Sequence, residues 1–257
     1  MCLVKVGCCG FPRSRRKYYE VFKLVEVQQT FYKLPSLETL EKWRREAPQD
    51  FEFTMKAWQV VTHPPTSPTW RKAGLKPEPG KEDRYGNLRP TPENLEAWRR
   101  TVEAAEALGA TVIVVQTPPS FGYSEENLEN AIRFFREAGK AWSGLIAWEP
   151  RGTWHEHPEA VARVVEETGV IHAVDLLRRW PAVVGKVSYI RLHGLGGREV
   201  NYRYRYTDED LAELAKRVRS LCEKGSETVY VLFNNIYMFD DAQRFKTIAG
   251  KEGLEVV

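Results

Sequence analysis

Eight short runs rich in β-branched and aromatic residues recur along this 257-residue chain, and amphipathic stretches separate most of them. The runs are Val4–Cys8, Leu24–Thr30, Phe51–Lys56, Thr111–Gln116, Gly144–Glu149, Val170–Asp175, Val187–Leu192 and Thr228–Phe233. Strands alternating with helices predict βα units and a parallel sheet. Eight such units, in a chain of typical barrel length, predict a single (β/α)8 TIM-barrel domain over residues 1–257.

The intervening helices carry recognisable starts and stops. Ser36–Glu46 offers Leu37, Leu40 and Trp43 to one face. Thr91–Leu108 opens with a cap and a proline and stops at Gly109. Ser124–Ala141, His157–Thr168 and Thr207–Glu223 follow, several with acidic first turns that suit the helix dipole. Two stretches break the rhythm. Leu176–Lys186 is interrupted by Pro181 and Gly185, so the sixth βα connection should be irregular. Residues 58–90 are long, proline-rich and basic, and show no period. Because that segment follows the third strand, barrel topology puts it over the catalytic mouth.

No run approaches the roughly 20 apolar residues of a membrane span, so no membrane partner is expected. The opening Met1-Cys2-Leu3-Val4 runs directly into a strand pattern. No signal peptide and a cytoplasmic location are therefore expected. The four cysteines, Cys2, Cys8, Cys9 and Cys222, lack zinc spacing, and reduced thiols are expected for all of them. Net charge is only +3, so nucleic-acid binding has to be argued from local clusters. The charge-rich composition resembles that of thermophilic proteins.

Several motifs sit in order at the strand ends. They are Val6-Gly7-Cys8-Cys9-Gly10-Phe11, Val25-Glu26-Val27-Gln28-Gln29-Thr30-Phe31-Tyr32-Lys33-Leu34-Pro35, and Phe53-Thr54-Met55-Lys56-Ala57 with Thr62-His63 beyond. Gln116-Thr117-Pro118-Pro119-Ser120-Phe121, Trp148-Glu149-Pro150-Arg151, Tyr189-Ile190-Arg191-Leu192-His193-Gly194 and Tyr230-Val231-Leu232-Phe233-Asn234-Asn235 complete the set. Together they resemble domain of unknown function 72, the YecE-like family, across nearly the whole chain. The resemblance implies a TIM barrel and carries no settled reaction. Many members have Thr-Ser-Gly-Trp or similar where this chain has Cys8-Cys9-Gly10-Phe11, which puts hydroxyl chemistry there in doubt.

Barrel enzymes work from side chains at strand exits, and those here are unusually polar. The candidate catalytic residues are His193, Glu149, Asp175, Glu26 and Lys56. An imidazole titrating near neutrality suits general acid/base work, with Glu149 or Asp175 as second group or orienter. Candidate substrate-binding residues are Arg191, Arg151, Gln116, Asn234, Asn235, Tyr32 and His63; arginine grips phosphate or carboxylate through two parallel hydrogen bonds. The bland alternatives are ion pairs that merely plug the barrel, such as Glu26 with Lys56, and a structural His193. The sequence names no cofactor, although His63, Glu149, Asp175 and His193 are ligand types for a divalent metal. Cys8 or Cys9 is either a nucleophile beside Arg13, Arg15 and Arg16 or, more commonly, a buried thiol.

Two basic-aromatic clusters follow strands one and seven: Arg13-Ser14-Arg15-Arg16-Lys17-Tyr18-Tyr19 and Asn201-Tyr202-Arg203-Tyr204-Arg205-Tyr206. With Trp70, Arg71 and Lys72 they suit a DNA or RNA strand, or form a solvated surface. Three functions fit this pattern. The first is an enzyme on a phosphate-bearing substrate, nucleic acid included, working by acid/base-assisted hydrolysis or elimination. The second is an enzyme on a small sugar or carboxylate. The third is a non-catalytic nucleic-acid-binding barrel. Oligomeric state leaves no mark on the sequence.

Overall fold

The computed structural model describes residues 2–197 and 199–257. In chain order, the first half contains β1 Leu3–Cys9, α1 Arg15–Tyr19, β2 Leu24–Val27, α2 Gln29–Tyr32, α3 Leu37–Glu46, β3 Glu52–Lys56, α4 Pro68–Lys72 and α5 Pro92–Leu108. Next come β4 Ala110–Gln116, α6 Glu125–Ala141, β5 Leu145–Glu149, α7 Pro158–Thr168 and β6 Ile171–His172. The chain ends with β7 Val187–Leu192, α8 Asp208–Glu223, β8 Thr228–Phe233, α9 Met238–Lys251 and β9 Glu255–Val256. The strands pair in parallel, and the fold class is the expected (β/α)8 barrel.

Chain contacts separate two compact units. The first comprises the residues up to Val27, Ala47–Glu52 and Ala173–Val257. Within it β1 lies between β2 and β8, β7 pairs β8, and β9 adds to β1. Registers align the strand exits: Cys9 pairs Glu26, Cys8 pairs Phe233, and Leu192 also pairs Phe233. An isolated parallel bridge joins Val174 to Ile190. Tyr18, Phe22, Leu214, Val218, Phe233 and Phe245 fill this unit's core.

The second unit comprises Gln28–Glu46 and Phe53–His172. Its strand order is β3-β4-β5-β6, and Gln116 of β4 stands beside Glu149 of β5. Trp98, Phe134, Phe135, Trp148 and Trp154 are buried here. The Trp98 indole N–H, which an apolar core would leave unpaired, donates to the Ala138 carbonyl at 3.2 Å.

Most helix starts follow the local chemistry expected of them. The Thr91 hydroxyl accepts from the Asn94 amide, the Ser124 hydroxyl from Asn127, and Thr207 forms a reciprocal capping box with Asp210. Gly109 ends α5 in the left-handed conformation. The connection from Leu176 to Lys186 contains only turns and bends, as its proline and glycine require.

Three expectations need correction. The second strand stops at Val27 instead of Thr30, and the chain coils into α2. There the Thr30 hydroxyl donates to the Lys56 carbonyl at 2.7 Å, a side-chain bond that favours the turn over further extension. The sixth strand is only Ile171–His172. Finally, Cys2 and Cys222 are joined in a disulfide, with Cα atoms 5.7 Å apart, whereas Cys8 and Cys9 are buried outside it. A sequence separation of 220 residues hid that pairing.

Residues 58–90 are built, although they lack a period. Short 3-10 turns at Gln59–Val61 and Glu82–Arg84 flank α4. The buried Asn94 side chain holds the segment together: it accepts from the Gly86 amide at 3.1 Å and donates to the carbonyls of Val61, Gly86 and Arg89 at 3.3, 3.1 and 3.0 Å. One side-chain amide thus ties together four backbone groups of this irregular stretch, two of which, the Gly86 amide and the Val61 carbonyl, also bond other backbone groups. No described helix is long and apolar enough to cross a membrane.

The disulfide closes a long loop, so its loss should cost about 2–4 kcal/mol through the entropy of the unfolded chain. Urea denaturation of Cys222→Ser against the oxidised protein measures this. Thiol titration of the denatured, unreduced chain should find the thiols of Cys8 and Cys9 and none from Cys2 or Cys222.

Candidate active site

In the first unit the alternation of β7 places Tyr189, Arg191 and, just past the strand, His193 on one face. Arg191 and Glu26 are fully buried and form a forked ion pair. Arg191 Nε donates to Glu26 Oε2 at 3.0 Å and Nη2 donates to Oε1 at 2.8 Å, while the Tyr189 hydroxyl donates to Oε2 at 2.9 Å. Buried charges are tolerable when hydrogen bonds of this kind offset their lost hydration. The guanidinium also reaches Cys9 Sγ at 3.9 Å and brings Nη1 within 3.5 Å of His193 Nε2.

His193 is 3% exposed, and the edge of Tyr202 meets its ring with centroids 6.2 Å apart. Asp175 serves the backbone: Oδ2 accepts the His193 amide at 3.0 Å and Oδ1 accepts the Leu177 amide at 3.2 Å. Arg178 stands 3.6 Å from Asp175 and donates to the Gly194 carbonyl at 3.2 Å. Tyr206 holds the Gly194 amide through its hydroxyl at 2.7 Å. Gly194 has φ +82°, and a Cβ there would meet the Asn201 carbonyl at 2.0 Å, so this exit turn requires glycine.

Asn235 works as a loop tie, donating to the Tyr204 carbonyl and to Asp241, both at 2.7 Å. The Asn234 amide bonds the Leu192 carbonyl at 2.8 Å. Cys8 is a buried thiol whose Sγ lies 3.4 Å from the Met238 carbonyl. Burial pushes its ionisation far above the usual thiol range, which opposes formation of a thiolate.

The second unit gathers Lys56, His63, Gln116, Glu149 and Arg151. Lys56 Nζ donates to Gln116 Oε1 at 3.1 Å and sits 4.0 Å above the centroid of Phe31. Phe31 also meets the edge of His63 at 5.0 Å. These contacts give physical roles to Thr30 and Phe31, which the residue types alone do not assign. Arg151 directs Nε and Nη2 at Glu149 Oε1, at 2.8 and 2.5 Å. His63 is fixed by Thr62, whose hydroxyl lies 2.8 Å from Nδ1, and its carbonyl accepts the Trp70 indole N–H at 2.8 Å. Burial, then the charges of Lys56 and Arg151, push the His63 imidazole down to about 3. It is therefore a neutral ring in a positive field.

Trp70, expected on a nucleic-acid face, is buried, as are Tyr18 and Tyr206. Tyr204 is tied by its hydroxyl to Asp210 at 2.6 Å, which pushes its ionisation up to about 12. Arg13, Arg16, Arg203 and Arg205 remain exposed and Arg15 half-buried. Arg13 lies over Phe239, Arg15 over Phe11 and Arg205 over Tyr237. Tyr32 is partly exposed, with Lys72 above its ring. Among the described residues no group of three or more His, Cys, Asp or Glu is placed to hold a metal.

The family model described as Protein of unknown function DUF72 matches residues 11–256. The chain belongs to this family. It is similar to the UPF0759 protein YunF of Bacillus subtilis, 26% identical over 95% of this chain and 86% of that protein. A crystal structure of a DUF72 family protein from Enterococcus faecalis aligns over 99% of both chains with TM-score 0.70 at 18% identity. A xylose isomerase domain protein from Planctomyces limnophilus aligns over 98% of this chain and 94% of its own, with TM-score 0.51 at 12% identity. At such identities the two structures establish the barrel fold of this DUF72 chain and nothing further.

The state of His63 gives a sign that can be checked. Its folded ionisation lies below the unfolded value, so the unfolded chain binds the extra proton. Stability should therefore fall as pH drops from about 6.5 toward 3. In a histidine-selective NMR titration the His63 ring should stay unprotonated between about pH 5 and pH 8.

Proposed function

We propose that this DUF72 protein is an enzyme acting on a phosphate-bearing substrate, nucleic acid included, by acid/base-assisted hydrolysis or elimination. One observation carries the reading: the neutral His63 imidazole under the positive field of Lys56 and Arg151. A buried ring that cannot charge, beside two cations, favours an anionic oxygen over a neutral or cationic group. Lys56, His63 and Gln116 are assigned to binding, and Arg151 is positioned by Glu149. In the first unit His193 is assigned the proton transfer, and the Glu26–Arg191 pair and Asp175 are positioning residues for it. Arg13, Arg15, Arg16, Arg203 and Arg205 are assigned to steering a polyanion, with the exposed Tyr202 as a stacking surface in place of the anchored Tyr204.

The cytoplasmic assignment belongs to the same proposal. Disulfides persist inside cells of hyperthermophiles, and the charge-rich composition supports such an origin.

The test combines turnover and binding. Single-stranded and double-stranded DNA and RNA, with bis(p-nitrophenyl) phosphate and p-nitrophenyl phosphate as small probes, should include at least one compound that is converted. His193→Ala and Glu149→Gln should each lower that rate by about 100-fold or more with the melting temperature retained. Inorganic phosphate should displace the His63 ring resonances in a saturable way. Oligonucleotide binding should weaken steeply with salt. No conversion of any probe, or full activity in both variants, contradicts the proposal. Salt-sensitive binding without turnover would leave a non-catalytic binding barrel.

A further inference from the structure

Three large apolar side chains of the first unit are exposed on the loops that leave β7 and β8. Ile236 is 63% exposed, Tyr202 45% and Tyr237 37%. The two loops are bonded to each other. The Ile236 amide donates to the Tyr202 carbonyl at 2.9 Å, and the Asn235 side chain joins the Tyr204 carbonyl to Asp241. The Asn201 amide returns to the His193 carbonyl at 2.7 Å. These bonds use backbone atoms and the Asn235 amide, and leave the three apolar side chains in contact with solvent. Scattered exposed apolar residues need no explanation, but a set held together on tied loops marks a binding surface.

The tyrosines of this stretch divide by role. Tyr204 and Tyr206 commit their hydroxyls to Asp210 and to the Gly194 amide, at 2.6 and 2.7 Å. Tyr202 instead packs against His193, with ring centroids 6.2 Å apart at 61°, and stays exposed. A planar group laid on Tyr202 therefore comes next to the residue assigned the proton transfer.

The charge around these rings is positive. Residues 11–19, 199–206 and 234–241 carry six arginines and lysines against Glu199, Asp240 and the buried Asp241. The Arg205 guanidinium lies 5.5 Å from the Tyr237 centroid, and Arg13 lies 5.6 Å from that of Phe239. An arginine resting on a ring keeps N–H donors for a phosphate. The matching partner carries regular negative charge together with flat apolar faces. Unpaired nucleotides combine the two, whereas the bases of a duplex already spend their faces on one another.

We propose that these loops seat unpaired nucleotides, so that the strand bound is single-stranded DNA or RNA and not a duplex. This deepens, and rests on, the reading of a phosphate-bearing substrate. One base stacks on Tyr202 beside His193, a neighbouring base packs on Ile236 and Tyr237, and Arg203 and Arg205 take the intervening phosphates.

Fluorescence anisotropy with labelled oligothymidylate and oligouridylate of about 12 nucleotides tests this, beside a duplex and an abasic strand of the same length. The abasic strand keeps every phosphate and removes every base. Both intact single strands should bind at least about tenfold tighter than the duplex or the abasic strand. Tyr202→Ala and Ile236→Ala should each weaken the intact strands by about fivefold and leave the abasic strand within about twofold. Tyr202→Phe, which keeps the ring, should bind as the wild type does. Equal binding of duplex, abasic and intact strands, or an unaffected Tyr202→Ala, overturns the proposal. Tyr202-dependent binding to phosphatidylglycerol vesicles, with none to the oligonucleotides, also overturns it and assigns the loops to a lipid surface. Conversion of p-nitrophenyl phosphate without strand binding removes the seat and leaves the enzyme reading. Tyr202-dependent binding of single strands without any turnover supports the seat and contradicts the enzyme reading.

Discussion

A carboxylate and a guanidinium with no solvent exposure, Glu26 and Arg191, occupy the exits of β2 and β7. Moving either ion from water into a protein interior costs several kcal/mol, and their attraction offsets this only with good geometry and further hydrogen bonds. Here both oxygens of Glu26 face the guanidinium fork, and Tyr189 adds a third donor. The pair restricts its surroundings. Cys9, paired with Glu26 across β1 and β2, must sit beside the guanidinium, and His193 two residues beyond Arg191 must stand next to it. Remove the pair and the orientation of the imidazole loses its support.

The second unit handles charge differently. Lys56 rests on an aromatic face and an amide oxygen, and Arg151 turns back onto Glu149. The imidazole near them stays neutral because of burial and because the cations oppose a further positive charge. A neutral ring keeps one nitrogen as donor and the other as acceptor. That is a chemically flexible partner for an anionic group, and it explains why a histidine occupies a site where another lysine would repel its neighbours.

How far these features were legible differs by kind. Strand positions and helix caps were visible because both depend on neighbours in sequence: alternation for the strands, and Thr91, Ser124 and Thr207 for the caps. Glu26, Lys56, Glu149, Arg191 and His193 could be named as strand-exit residues from barrel logic alone. Their partners could not. Nothing local says that Glu26 faces Arg191, 165 residues away. The same long range hid the Cys2–Cys222 bond. Residues 58–90 lacked a period because their order comes from backbone groups gathered by Asn94 and a left-handed turn, neither of which leaves a hydrophobic rhythm. Arg191 reads from sequence as a substrate-binding and Asp175 as a catalytic candidate; within the chain their contacts reach His193 and its amide.

A double-mutant cycle on Glu26→Gln and Arg191→Met, read by urea denaturation, tests the dependence on this pair most directly. The account predicts that each single variant loses about 3–5 kcal/mol because it strands a buried charge, and that the double variant recovers much of the loss. Losses that simply add, to within about 0.5 kcal/mol, would mean that the two residues act independently and would contradict it.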